Sequence, residues 1–187
     1  RLRVESIKID VVIENEQRKA RQVFGDVGDN ALGIPRPVRA RYDMEKVVNR
    51  AMGELLSDPS QLLLGRVDDQ KDRISGSNPN YIGAGTLSDV VRILKVGANG
   101  RISRVQEQEY VASDLAKDGR EFFDLLSETF DELGLLKDGS VTAQELRESS
   151  LLGSATMLKI LAGVHYQVRS EKGTAAAANL FRKLARH

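Results

Sequence analysis

The chain has no cysteine, no tryptophan and only two histidines among its 187 residues. Without cysteine it can form no disulfide, no thiolate zinc site and no cysteine nucleophile. Two histidines make a histidine-based metal cluster or a multi-histidine catalytic centre an unfavourable interpretation. The apolar runs are only a few residues long, far short of the roughly 20 that span a membrane. We therefore expect no bound metal, no other cofactor and no membrane partner.

The net charge is also small, because 28 basic residues balance 27 acidic ones and leave +1. The two signs are nevertheless segregated along the chain. Residues 17–50, the front segment, carry a net charge of +4, and residues 107–132, the acidic segment, carry −7. Residues 159–187, the basic tail, carry +5. Solvated helix faces are the ordinary explanation of such runs, so any anion-binding surface has to be argued locally.

The front of the chain reads as one strand followed by helices. Residues 4–14 alternate apolar and polar side chains and are rich in β-branched residues, which predicts a strand. A helix is predicted from Glu16 to about Phe24, and a loop rich in glycine and proline follows over 25–37, with Pro37 suited to open a new helix. Asp43 is the expected cap of a further helix from Met44 to Leu56.

The remainder of the chain reads as helical. A polar loop over 65–85 is followed by a helix that Thr86 and Asp89 would open as a capping box. We expect two helices between Val105 and Leu133, split near Gly119, and a second capping box at Thr142 and Glu145. The last two helices are an apolar one over 155–168 and a basic, alanine-rich one over 174–186. The predicted fold class is therefore α+β and predominantly α-helical.

Motifs of catalysis are absent, since the sequence contains no Walker A, GxGxxG, HExxH or GxSxG pattern. The aspartates of residues 68–72 have a spacing that is common by chance, and residues 131–146 lack the ligand spacing of a calcium loop. His165 lies in an apolar helix and is interpreted as a core histidine. We predict no catalytic residue and no metal ligand. The sequence leaves enzymatic activity open and favours a protein without it.

The front segment is the best candidate for phosphate binding. It joins arginines to a glycine- and proline-rich loop and a helix start, where backbone N–H groups and guanidinium forks suit a phosphate. The predicted binding residues are Lys19, Arg21, Arg36, Arg39, Arg41 and Arg50.

The order of elements over residues 11–56 carries a family resemblance. A strand leads into a helix of the form E-x-x-A-x-x-x-F, and a loop beginning D-V and a helix preceded by aspartate follow. The matching residues are Glu16, Ala20, Phe24, Asp26, Val27, Ala31, Pro37, Val38 and Asp43. This layout, continued by Arg73-Ile74-Ser75 and the segment 86–94, resembles the DGQHR-domain family, which includes the DndB-like DNA sulfur-modification proteins and is distantly similar to ParB-like domains. The chain departs from the pattern at Gly28, where the family commonly has asparagine, and it lacks the Asp-Gly-Gln-His-Arg signature.

The resemblance implies an organisation and a function. Because that signature lies upstream of this strand in the family, we expect the chain to be the C-terminal part of such a protein. Residues 1–60 would be the tail of a ParB-like α/β unit, and residues 61–187 a helical domain. The implied function is a cytoplasmic, DNA-binding regulator of DNA modification by phosphorothioation or of phage defence. Its expected partners are double-stranded DNA, held at the front segment, and other DNA-modification proteins.

Two other classes of function stay open. The acidic segment and the basic tail could pair between chains, which would make the protein a self-associating scaffold without DNA binding. ParB-like relatives include nucleotide hydrolases, and the active site of such an enzyme would then lie upstream of this chain.

Overall fold

The computed structural model describes residues 15–16, 19–23, 35–58 and 60–185. The predicted strand over 4–14 and most of the loop over 25–37 lie outside the described residues. Of the predicted helix over 16–24, residues 16 and 19–23 are described, and residues 19–23 are helical. The expected division at residue 60 stays a prediction, although one buried core joins residues from Ala40 to Phe181.

The described part is predominantly helical, as the sequence predicts. The helices are α1 (Arg36–Tyr42), α2 (Val47–Leu56), α3 (Ala84–Val96), α4 (Arg104–Glu109), α5 (Ala112–Thr129), α6 (Asp131–Asp138), α7 (Ala143–Ser149), α8 (Ala155–Lys172) and α9 (Thr174–Leu184), with a 3₁₀ turn at Leu151–Gly153. Two short strands, β1 (Val67–Asp68) and β2 (Ile82–Gly83), pair in parallel with Val67 opposite Ile82. They lie inside the segment that the sequence presents as a polar loop.

Helix α3 is the centre of the described fold. It packs against α1, α2, α5 and α8, and both strands contact it as well. Its apolar residues Leu87, Val90, Val91 and Leu94 are at most 1% exposed, because they face several neighbours at once. Helix α5 carries the next apolar stripe, with Leu115, Phe122, Phe123 and Leu126 buried at helical spacing.

Three expected helix boundaries are wrong. Helix α2 begins at Val47 rather than Met44, because Asp43 accepts a bond from the Glu45 N–H in a turn before it. Its first N–H is instead bound by the Glu107 carboxylate, with the nitrogen 2.6 Å from Oε2. Helix α3 begins at Ala84, two residues before Thr86, so Thr86 is a buried first-turn residue and not a cap.

The expected break near Gly119 is also wrong, since α5 runs unbroken through it. A β-carbon at Gly119 would lie 3.1 Å from Leu55 Cδ2, so the glycine lets α5 approach α2 closely. The chain bends instead before Ala112 and at Phe130, which has extended backbone angles between α5 and α6. The helix over 155–168 and the terminal helix are confirmed, as is the capping box of Thr142 and Glu145.

Candidate functional site

A cavity of about 590 Å³ lies where α1, the loop after β1, the end of α7 and the start of α8 meet. Four of its lining residues are cationic, and one is acidic. The cations are Arg36, Arg73, Arg147 and Lys159, and the acid is Asp72. Hydroxyl groups of Thr86, Ser150 and Ser154 add polar atoms, while Ile74 and Leu151 form an apolar part of the wall.

Asp89 fixes two of these cations side by side. Arg36 Nη2 lies 2.6 Å from Asp89 Oδ1, and Lys159 Nζ lies 2.7 Å from Asp89 Oδ2. Burial by itself would raise the pKa of Asp89, but hydrogen bonds from Lys159 and Arg36 outweigh it and hold the pKa below its ordinary value. Arg36 Nη1 also lies 4.0 Å from Asp72 Oδ2, so two cations and two carboxylates meet in this corner.

The other two cations face no carboxylate at bonding distance. Arg147 donates from its guanidinium to the carbonyl oxygens of Gly76, Asn78 and Asn80, and so holds the loop before β2 against α7. Arg73 is exposed and has no hydrogen bond or ion pair within the part of the chain that the structure describes. The cavity therefore keeps a positive excess.

Two glycines allow the loop that carries Asp72 to reach the start of α3. A β-carbon at Gly83 would lie 2.3 Å from the Lys71 carbonyl oxygen, and one at Gly85 would lie 1.9 Å from Asp72 Oδ1. Asp72 Oδ1 is buried there and lacks a hydrogen-bond donor among the described residues, next to the positive end of α3. Any side chain at either position would push this wall of the cavity outwards.

Replacing Gly83 by alanine is therefore expected to destabilise the protein by about 1–3 kcal/mol, because backbone atoms of Lys71 and Asp72 must move. Gly53→Ala on α2 is the matched control, since nothing lies within 4 Å of its added β-carbon. That change should stabilise by about 0.4–1 kcal/mol through the unfolded chain. Urea unfolding measures both, and equal effects of the two substitutions would contradict the close approach.

The six residues predicted to bind phosphate do not form one patch. Lys19 and Arg50 line a shallow pocket with Glu45, where Lys19 pairs with Glu16 at 2.9 Å. Arg50 donates to the carbonyl oxygens of Met44 and Glu45.

The remaining four predicted residues are more dispersed. Arg36 reaches the cavity described above, and Arg41 lines a separate small pocket beside Asp69. Arg39 is exposed in the last turn of α1, and Arg21 is half-buried in the helical residues 19–23. Their role in binding stays a prediction.

Three of the four cavity cations are not among the binding residues that the sequence predicts. Arg73 lies in the polar loop, Arg147 in α7 and Lys159 in the basic tail. No spacing in the sequence links them to Arg36, because 123 positions separate Arg36 from Lys159. Only the packing of α3 between α1 and α8 brings these groups to one cavity.

An ion pair links the acidic segment to the basic tail inside the molecule. Arg169 Nη1 lies 2.9 Å from Asp118 Oδ1, and both side chains are largely shielded from solvent. Asp124 pairs with Lys137 at 3.1 Å, and Glu107 binds the start of α2. These groups are therefore engaged within one chain, which weakens the argument for pairing between chains.

The aspartates of residues 68–72 are also engaged locally. Asp68 accepts hydrogen bonds from the N–H groups of Gln70 and Lys71 and from the Asn78 side chain, and its pKa is lowered although burial opposes the shift. Within the described ranges, no three histidine or acidic side chains are grouped as a metal site would require. No helix of the described part has both the length and the apolar character to cross a membrane.

Comparison with protein-family models identifies a family for the chain. The family model for DndB, described as DNA-sulfur modification-associated, matches residues 1–186. Neither the curated proteins nor the solved structures contain a significant match to the chain.

Proposed function

The chain belongs to the DndB family of DNA-sulfur modification-associated proteins, and we propose on that premise that it is a DNA-binding regulatory protein. The family establishes the association with DNA sulfur modification. Binding to double-stranded DNA, and regulation through that binding, are the steps proposed here. Arginine and lysine side chains on the front segment are the groups that would contact the DNA backbone.

The observation that carries the proposal is the solvent exposure of cations on α1 and on the helical residues that precede it in the sequence. Arg36 has a side chain that is 53% exposed, and Arg39 is exposed on the same seven-residue helix. Lys19 is 61% exposed on the preceding helical residues. These cations are accessible to a long polyanion such as DNA, although they do not form one patch on the protein.

Contacts of this kind would hold DNA by its phosphates without reading the sequence of its bases. Binding would release counterions, so the association constant should fall steeply as salt rises. Arg39 and Arg41 test this best, because neither lines the cavity that holds Arg36.

Fluorescence anisotropy with a labelled duplex should show binding at about 50 mM salt that weakens strongly by about 200 mM. The double variant Arg39→Gln, Arg41→Gln should bind more weakly on every duplex sequence. Its plot of log K against log salt should be shallower by about 2, since each phosphate contact contributes about 0.9 to the slope. Regulation by this binding would then appear as altered transcription of a bound promoter.

The matched control is Arg182→Gln, Lys183→Gln, which removes the same charge from the exposed last turn of α9. Its plot of log K against log salt should have the same slope as that of the unmodified protein. Absence of binding at low salt, or an equal change in both double variants, would overturn the proposed DNA surface.

A further inference from the structure

The cavity between α1, α7 and α8 has more positive charge than its own acids neutralise. Arg36, Arg73, Arg147 and Lys159 face Asp72 in the wall, and Asp89 lies directly behind two of them. The excess is two positive charges. A phosphate monoester near neutral pH carries about −1.5 to −2, which matches this excess.

Two of the cations are held in place, so a ligand does not have to order them. Asp89 holds the Arg36 guanidinium and the Lys159 ammonium on adjacent oxygens, 2.6 and 2.7 Å away. Both side chains stay accessible, with 53% of Arg36 and 37% of Lys159 exposed. Arg73 supplies a guanidinium without a partner among the described residues, and guanidinium groups bind phosphate through two parallel hydrogen bonds.

The start of α8 adds to this positive field. Ser154 and Ala155 line the cavity, and the 18-residue helix that begins at Ala155 directs its positive end there. Ser154 Oγ accepts the Thr156 N–H, so its hydroxyl proton is available to a ligand.

The size and the apolar wall point to more than an inorganic ion. A volume of about 590 Å³ falls within the range of small-molecule sites, which is roughly 300–1,000 Å³. Leu151 and Ile74 line the same space, and Leu151 is 73% exposed, which is a large exposure for an apolar side chain beside charged groups. An organic group attached to the phosphate would cover this apolar part of the wall.

We propose that this cavity binds a small organic phosphate of about nucleotide size. The phosphate lies against Arg36, Arg73 and Lys159, and the organic group lies against Leu151 and Ile74. Arg147 positions the loop wall rather than the ligand, because its guanidinium is committed to the carbonyl oxygens of that loop. This site shares Arg36 with the proposed DNA surface, but Arg39 and Arg41 do not line it.

Isothermal titration calorimetry of the full chain tests the site with adenosine 5′-monophosphate, inorganic phosphate and adenosine. The monophosphate is expected to bind more tightly than inorganic phosphate, and adenosine should not bind measurably. Equal affinity for the two phosphates would overturn the organic part of the proposal. Absence of binding by both at millimolar concentration would overturn the whole proposal.

Variants locate the ligand in the cavity. Arg73→Gln and Lys159→Gln should each weaken monophosphate binding by about tenfold or more, because each removes one charge-assisted bond. Leu151→Ser should weaken the monophosphate and leave inorganic phosphate unchanged. Arg182→Gln is the charge-matched control and should change neither affinity. If the cavity variants bind as the control does, the assignment is overturned.

A further titration distinguishes a free ligand from a nucleotide within a DNA strand. A short single-stranded oligonucleotide should bind to the cavity no more tightly than the mononucleotide. The part of its affinity that is lost in Arg73→Gln measures its binding to the cavity. Tighter binding that Arg73→Gln abolishes would overturn the assignment to a free small molecule. The Arg39→Gln, Arg41→Gln variant tests the DNA surface separately. Failure of one proposal can therefore be distinguished from failure of the other.

Discussion

Replacing Phe122 by alanine is expected to lower the free energy of unfolding by about 3–5 kcal/mol. The Phe122 side chain is 0% exposed on α5. Its ring lies 5.3 Å from that of Phe123, 5.4 Å from that of His165 and 6.4 Å from that of Phe181, all in edge-to-face arrangements. Alanine would remove this contact and leave a cavity between α5, α8 and α9 that the packed helices cannot refill.

Chemical denaturation followed by circular dichroism measures the change in the free energy of unfolding. In a thermal melt of the same variant, the melting temperature should fall by roughly 10 °C. Phe130→Ala is the matched control, because Phe130 is half-buried and its ring pairs with Phe181 alone among the described rings. It should cost less than half as much. A Phe122 variant as stable as the Phe130 variant would show that this aromatic cluster does not anchor the helices.

Lowering the pH from about 7 to about 5 is expected to reduce stability by about 2 kcal/mol through His165 alone. The side chain is 3% exposed, and burial lowers its pKa to about 4, with the Arg169 charge acting in the same direction and Asp118 opposing it. Its imidazole is therefore neutral in the folded protein at either pH. In the unfolded chain it has a pKa of about 6.5 and takes up a proton below that value.

The sign follows from that difference in proton uptake. Above about pH 6.5 the histidine is neutral in both states and the stability is complete. Between about pH 6.5 and pH 4 only the unfolded state is protonated, so stability falls as the pH falls. Carboxylates with lowered pKa, such as Asp89, lose their contribution at lower pH, below their ordinary value of 3.8.

Urea unfolding at several pH values tests this, with His165→Leu as the variant that cannot take up the proton. Between pH 7 and pH 5 the free energy of unfolding of the variant should depend on pH much less than that of the unmodified protein, whatever its value at pH 7. Retention of the full slope in the variant would assign the pH dependence to other groups and contradict the neutral, buried state of His165.

Much of the helical fold could be predicted because its signals are local. Thr142 and Glu145 form the predicted capping box, since both partners lie within one turn of the same helix. The stripe of Phe122, Phe123 and Leu126 identifies the buried face of α5 through its spacing alone. Pro37 correctly indicates the start of α1 because proline suits a first helical turn.

The errors arise where a distant residue decides the outcome. The sequence predicts a helix break at Gly119, but the helix continues through it. The close contact with Leu55 explains why a glycine lies at this position. Asp43 and Thr86 read as caps, but Glu107 binds the start of α2, and the strands β1 and β2 set where α3 begins. Local propensity is a weak signal that tertiary contacts override.

Sequence patterns alone are enough to identify the family, the helical class, the buried faces of the helices and the absence of cysteine chemistry. Those properties depend on composition and on spacings of a few residues. The place where cations come together depends on tertiary packing, since Arg36, Arg73 and Lys159 lie on separate segments and converge through the packing around α3. Asp89 brings two of them together because a half-buried carboxylate needs cations, and neither lies within its own turn of helix.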